Sequence, residues 1–152
     1  MKSKAPLLLM EQMVMLLVFA LAAALCLQAF VKSDSLSRRS EERDQAVILC
    51  QTAAETIRAC RGSEGVSTAL GKAAEKLGYN IDHGILYQEF DEDWNPVDFG
   101  VYCLDAEGVP TEVSGLRAVH VAVMKGFNAG QEMEILFEIE IAWQEEVGGY
   151  AG

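Results

Sequence analysis

Apolar and polar positions divide this chain into three stretches, each with its own period. From Met13 to Val31 it reads MVMLLVFALAAALCLQAFV, with no charge and a single Gln. A segment with no polar face buries itself among other apolar groups or in lipid. At about 1.5 Å per residue, a helix of this length spans roughly 28 Å, close to the hydrocarbon thickness of a bilayer. The run exceeds the roughly 7–15 residues of a secretory signal core. Apolar character starts earlier still, at Pro6-Leu7-Leu8-Leu9-Met10, and Glu11-Gln12 interrupts it once.

Beyond Val31 the pattern becomes helical and one-sided. Residues 37–47, SRRSEERDQAV, contain no Pro or Gly and carry charges four apart, such as Arg38 and Glu42. Ala46, Cys50, Ala53, Ile57 and Cys60 then recur every three to four positions, an amphipathic stripe. Arg61-Gly62 supplies a cation and a terminator. The spacing predicts one helix from Pro6 to Arg61, roughly 80 Å long. Its parts are a transmembrane stretch, 7–31, and an amphipathic continuation, 32–62. A second helix is predicted over Val66–Leu77, with Val66, Leu70, Ala73, Ala74 and Leu77 on one face and Gly78 at its end.

The remaining pattern has period two. It predicts strands at Ile85–Phe90, Val101–Leu104, Leu116–Met124 and Met133–Trp143, with a turn over residues 91–96, Asp-Glu-Asp-Trp-Asn-Pro. In the last strand Met133, Ile135, Phe137, Ile139, Ile141 and Trp143 share one face, and Glu134, Glu138 and Glu140 the other. The predicted fold class is therefore α+β. A long N-terminal helix packs on a three- to four-stranded antiparallel sheet whose other face is solvated. The small α+β domain occupies 63–152, and Gly148-Gly149 reads as a tail.

Charge narrows the partners. The 152 residues carry a formal net charge of −11. Such a surface repels nucleic-acid phosphate, and no Lys/Arg tract offsets it, so no nucleic-acid partner is expected. The acidity reads as solubility. Of the four cysteines, Cys26 lies in the apolar run. Cys50 and Cys60, ten residues apart on one helix, lie about 15 Å apart and cannot bridge. Cys103 either meets one of them or is, like them, a buried thiol.

No enzyme site assembles. Asp91, Glu92, Asp93 and Asp98 offer oxygens of the kind calcium takes, but the spacing lacks the Gly and closing Glu of a calcium loop, and a turn is the simpler reading. His83 and His120 have no metal-ligand motif beside them, and no nucleophile elbow or phosphate-binding loop occurs. No cofactor, metal or catalytic residue is expected.

One feature remains, a carboxylate inside an apolar segment. Taken locally, Glu11 marks the interface and reaches to the headgroups. The stretch KAPLLLMEQMVMLLVFALAAALCLQAF, however, resembles the N-terminus of type IV pilins and of the pseudopilins of type II secretion. In that family a short basic leader is cut off, and a Glu at the fifth residue after the cut precedes a long apolar helix. The resemblance places the cut between Pro6 and Leu7, makes residues 1–6, with Lys2 and Lys4, the leader, and puts Glu11 at the family's position. It implies that Glu11 neutralises the new terminal amine of a neighbouring subunit. It also implies a membrane-anchored, N-methylated structural subunit of a pilus or pseudopilus filament, and the atypical leader site at Pro6 points to a minor one. Its partners would be other pilin-like subunits, a prepilin peptidase and an inner-membrane assembly platform. Long helix followed by meander is also the family's order. One position departs from the pattern: Pro6 stands where the family carries Gly. Lys32, Arg38, Arg39 and Arg43 follow the span, so Lys and Arg counts do not place the domain outside. The resemblance alone implies an extracytoplasmic domain on a single-pass anchor in the cytoplasmic membrane. The alternative is a bitopic protein that never assembles and binds a partner through its domain.

Overall fold

The computed structural model describes residues 5–62, 65–126 and 133–145. Lys2 and Lys4 of the leader-like segment, and the tail at Gly148-Gly149, lie outside the described residues. The chain divides into two compact units, residues 1–41 and 42–152.

Helix α1 (Ala5–Ala59) is unbroken. Pro6 falls in its first turn, where the missing N–H costs nothing, and no other Pro or Gly follows within it. In the first unit every described side chain from Pro6 to Glu41 is exposed. An 18-residue window there reaches a mean hydropathy of 2.6, long and apolar enough to cross a membrane by length and composition.

In the second unit α1 is amphipathic. Ala46, Cys50, Ala53, Ala54, Ile57 and Cys60 are buried, the predicted stripe with one addition. Helical winding ends at Ala59, two residues before the expected Arg61. Cys60 N–H reaches both the Thr56 and Ile57 carbonyls, a tightened last turn. Helix α2 (Val66–Leu77) has the predicted bounds. Gly78 adopts a left-handed φ of 71°, and its N–H and that of Tyr79 both reach the Ala74 carbonyl. That conformation is cheap for Gly and closes the helix end.

The strands are β1 (Asn80–Asp82), β2 (Ile85–Phe90), β3 (Pro96–Val97), β4 (Tyr102–Val109), β5 (Leu116–Lys125) and β6 (Glu134–Gln144). All pairs are antiparallel, in the order β1-β2-β4-β5-β6, with β3 also on β2. The four expected strands are present, and β1 and β3 enlarge the sheet to six strands among the described residues. One face is covered by the helices. The Cys50 thiol of α1 lies over the carbonyls of Val121 on β5 and Phe137 on β6, while α2 packs against β1, β2, β4 and β5. Between them lie Leu86, Phe90, Leu104, Val119, Val121, Val123, Ile141 and Trp143, all buried.

Strand β6 corrects the predicted pattern. Phe137 faces Val123, but Ile135 faces Met124, so Leu136 is an extra residue, a bulge. The bulge turns Leu136 toward the core, while Ile135 and Met133 are more than half exposed. The alternation starting at Phe137 holds, and the expectation for Met133 and Ile135 fails. The open face is also less solvated than expected. Glu107, His120 and Glu140 lie abreast on it, yet Glu89, Cys103, Ala118 and Ala122 are buried there.

Candidate functional site

Pro6, Leu7 and Glu11 all lie at the start of α1. Leu7, Leu8, Met10, Val14 and Met15 surround Glu11 in a shallow apolar hollow on the helix surface. Leu7 and Glu11 stand four apart and so share a face. Among the described residues, no basic side chain lines this hollow. Chemically, the patch is one carboxylate in an apolar sleeve.

The second unit has a polar cluster where its helix begins. Glu42 accepts hydrogen bonds from the Tyr102 hydroxyl at 3.0 Å and from Lys125 Nζ at 2.6 Å through the same oxygen. The ammonium also sits 5.6 Å from the centre of the Tyr102 ring. Burial first, then Glu42, raises the Tyr102 hydroxyl well above its ordinary pKa. Arg38, expected to support Glu42 along the helix, pairs with Asp34 at 3.2 Å. Trp94 stacks flat on Tyr102, with ring centres 4.0 Å apart, and Phe90 and Tyr79 extend the aromatic row.

The loop that presents Trp94 is built from its own polar groups. Asp91 Oδ1 accepts the backbone N–H of Asp93 and of Asn95. These bonds, together with the Asn95 side chain, hold the Asp91 carboxyl below its usual range. Trp94 takes a left-handed φ of 64°, an expensive conformation for so bulky a side chain. The Asp91 cap and the ring stack offset it. Glu89 anchors the far end, its carboxylate accepting the Gly100 N–H at 2.7 Å. Gly100 is needed there, since a Cβ would sit 2.2 Å from the Phe90 carbonyl oxygen. The Asp91 carboxylate is thus occupied in holding the turn over residues 91–96. No group of three His, Cys, Asp or Glu is placed to hold a metal ion among the described residues.

His83 is exposed beside Asp82, and His120 is 3.2 Å from Glu138 on the open sheet face. The thiols of Cys50 and Cys103 are each pushed up to about 12, mainly by burial, which suppresses the reactive thiolate. They lie on opposite faces of the sheet, and all four cysteines are free. Buried Glu89 and the cluster of Glu42, Tyr102 and Lys125 are what sequence reasoning missed. No short-range pattern marks partners 60 and 83 residues apart.

Comparison of the chain with protein-family models, curated proteins and solved structures finds no match.

Proposed function

We propose that this chain is a minor structural subunit of a pilus- or pseudopilus-type filament. Residues 7–31 of α1 anchor it in the membrane, and its acidic α+β domain lies on the extracytoplasmic side. The observation that carries the reading is Glu11, the one charged residue between Pro6 and Val31, set in an exposed apolar helix that continues unbroken to Ala59. A helix apolar on all sides is covered by lipid before assembly and by neighbouring helices after it. In either setting an unpaired carboxylate is costly, and a cation held against it removes most of that cost. After a cut between Pro6 and Leu7, the amine of Leu7 on a neighbouring copy is such a cation. The partners are then other pilin-like subunits, with a prepilin peptidase and an assembly platform acting on them.

Pro6 favours a second reading. Its ring removes the backbone donor and restricts Ala5 before it, features a peptidase adapted to Gly does not meet. An uncut chain is a permanent bitopic anchor whose domain binds a partner. Mass spectrometry of the protein from membranes with an active prepilin peptidase separates the two. The filament reading expects a chain beginning at N-methylated Leu7. An intact leader would overturn the processing step and favour the bitopic anchor.

A further inference from the structure

Strand β6 ends the sheet on one side, and no strand among the described residues pairs with its outer edge. It is eleven residues long, whereas β1 at the opposite end has three. A long strand with a free edge presents a row of backbone donors and acceptors to any chain that can lie beside it. The helices do not reach over this edge. Val119, Val121 and Val123 of β5 are fully buried beneath them. Phe137 and Ile139, their partners on β6 and on the same face, are only partly buried.

The bulge at Leu136 interrupts regular pairing on the Glu134 side. Toward Gln144, the strand shares a hollow with Arg58 and Arg61. The edge left between them is residues 137–141, and its side chains alternate. Phe137, Ile139 and Ile141 lie on the helix side, and Glu138 and Glu140, both exposed, on the open face. Glu138 is 3.2 Å from His120 there. Two copies of this edge reject each other. Residues opposite one another in an antiparallel pair share a face. Pairing 137–141 with itself therefore sets Glu138 against Glu140 twice, and like charges placed opposite are destabilising. The complement of this edge is a strand with cations where β6 has carboxylates and apolar residues between them.

We propose that β6 takes up an added strand, an extended segment of another protein that alternates apolar residues with Lys or Arg. Main-chain hydrogen bonds along the free edge give the affinity, and alternate side chains give the specificity. The segment's apolar residues continue the core past Phe137 and Ile139. Its cations face Glu138 and Glu140, each opposite pair adding to the pairing. The site needs neither Glu11 nor filament assembly, so it operates in either reading above.

The test uses the full chain in a non-ionic detergent and a capped peptide alternating Val and Lys, about seven residues long, the length of an ordinary strand. Amide hydrogen exchange, read by mass spectrometry, follows the strands separately. The proposal expects saturable slowing of exchange in β6, with β1 and α2 unchanged. A peptide of the same residues with its lysines grouped at one end keeps the charge and loses the alternation, and it is expected to give no protection. The variant Glu138→Lys/Glu140→Lys is expected to weaken the response to the Val-Lys peptide roughly tenfold, as two attractive cross-strand pairs turn repulsive. It is expected to take up the matching Val-Glu peptide instead, and circular dichroism checks that it is folded. No slowing in β6 up to the solubility limit of the peptide would overturn the proposal. Equal protection by the grouped peptide, or an unchanged response in the folded variant, would do the same. So would protection that grows with protein concentration in the absence of peptide, since a second copy would then be the occupant. Protection that requires removal of residues 146–152 would also overturn it, since the chain's own tail would then hold the edge.

Discussion

Asp105 shows how a single side chain can work against its own fold. It is half-buried on the open sheet face, and its carboxyl is raised above 3.8 by burial first and by Glu107 second, with His120 opposing. A folded-state pKa above the unfolded value means that the folded chain holds the extra proton between the two. Stability therefore rises as pH falls through the raised pKa toward 3.8, and at neutral pH Asp105 is a cost. Asp105→Asn should stabilise the domain at pH 7 by roughly half a kcal/mol, a modest figure because solvent screens the exposed part. The gain should vanish below about pH 3.8, where the wild-type carboxyl is also neutral. Thermal melting at the two pH values checks it, and an equal gain at both would show that charge is not the cause. The residue scale was also the least legible from sequence. Glu42 looked like one more helix-surface charge, but Tyr102 and Lys125 meet it from distant strands. Nothing local in the sequence marks Glu89 as buried, yet it is, with its carboxylate on the Gly100 N–H.

At the scale of elements, the helices were legible because their signals are local. The stripe from Ala46 to Cys60 is the buried face of α1, and Gly78 ends α2 where expected. Strands β1 and β3, three and two residues long, are too short to show a period, and β4 runs on through Asp105 and Glu107, where apolar alternation gives out. The bulge at Leu136 is a property of pairing, since only the partner strand reveals the extra residue. Packing of α1 on the sheet gives a paired prediction. Ile57 is fully buried, whereas Ile48 on the same helix is 55% exposed. Ile57→Ala should destabilise the domain by about 2–4 kcal/mol, the usual cost of an unfilled core site. Ile48→Ala should stay within about 0.5 kcal/mol. Denaturant unfolding of the two variants measures both, and equal losses would mean that α1 does not present this face to the sheet.

At the scale of the whole chain, an acidic domain with buried thiols carries a helix that is exposed from Leu7 to Val31 and apolar there apart from Glu11, Gln12 and Gln28. The membrane-length helix and the α+β class were readable from hydropathy and period. The role proposed for the helix rests on the resemblance around Glu11 alone, because a bilayer and a bundle of neighbours cover the same apolar surface. The account rests on that carboxylate, and Glu11→Ala tests it most directly. In a filament the change leaves a neighbour's amine buried without its counter-charge, a loss on the order of 3–5 kcal/mol per contact. The measurement is crosslinking and co-purification of the variant with the other filament subunits, beside its level in the membrane. The account predicts that partner recovery collapses while the membrane level stays at wild type or rises slightly, since an isolated helix inserts more easily without the charge. Unchanged recovery of partners from Glu11→Ala would contradict it.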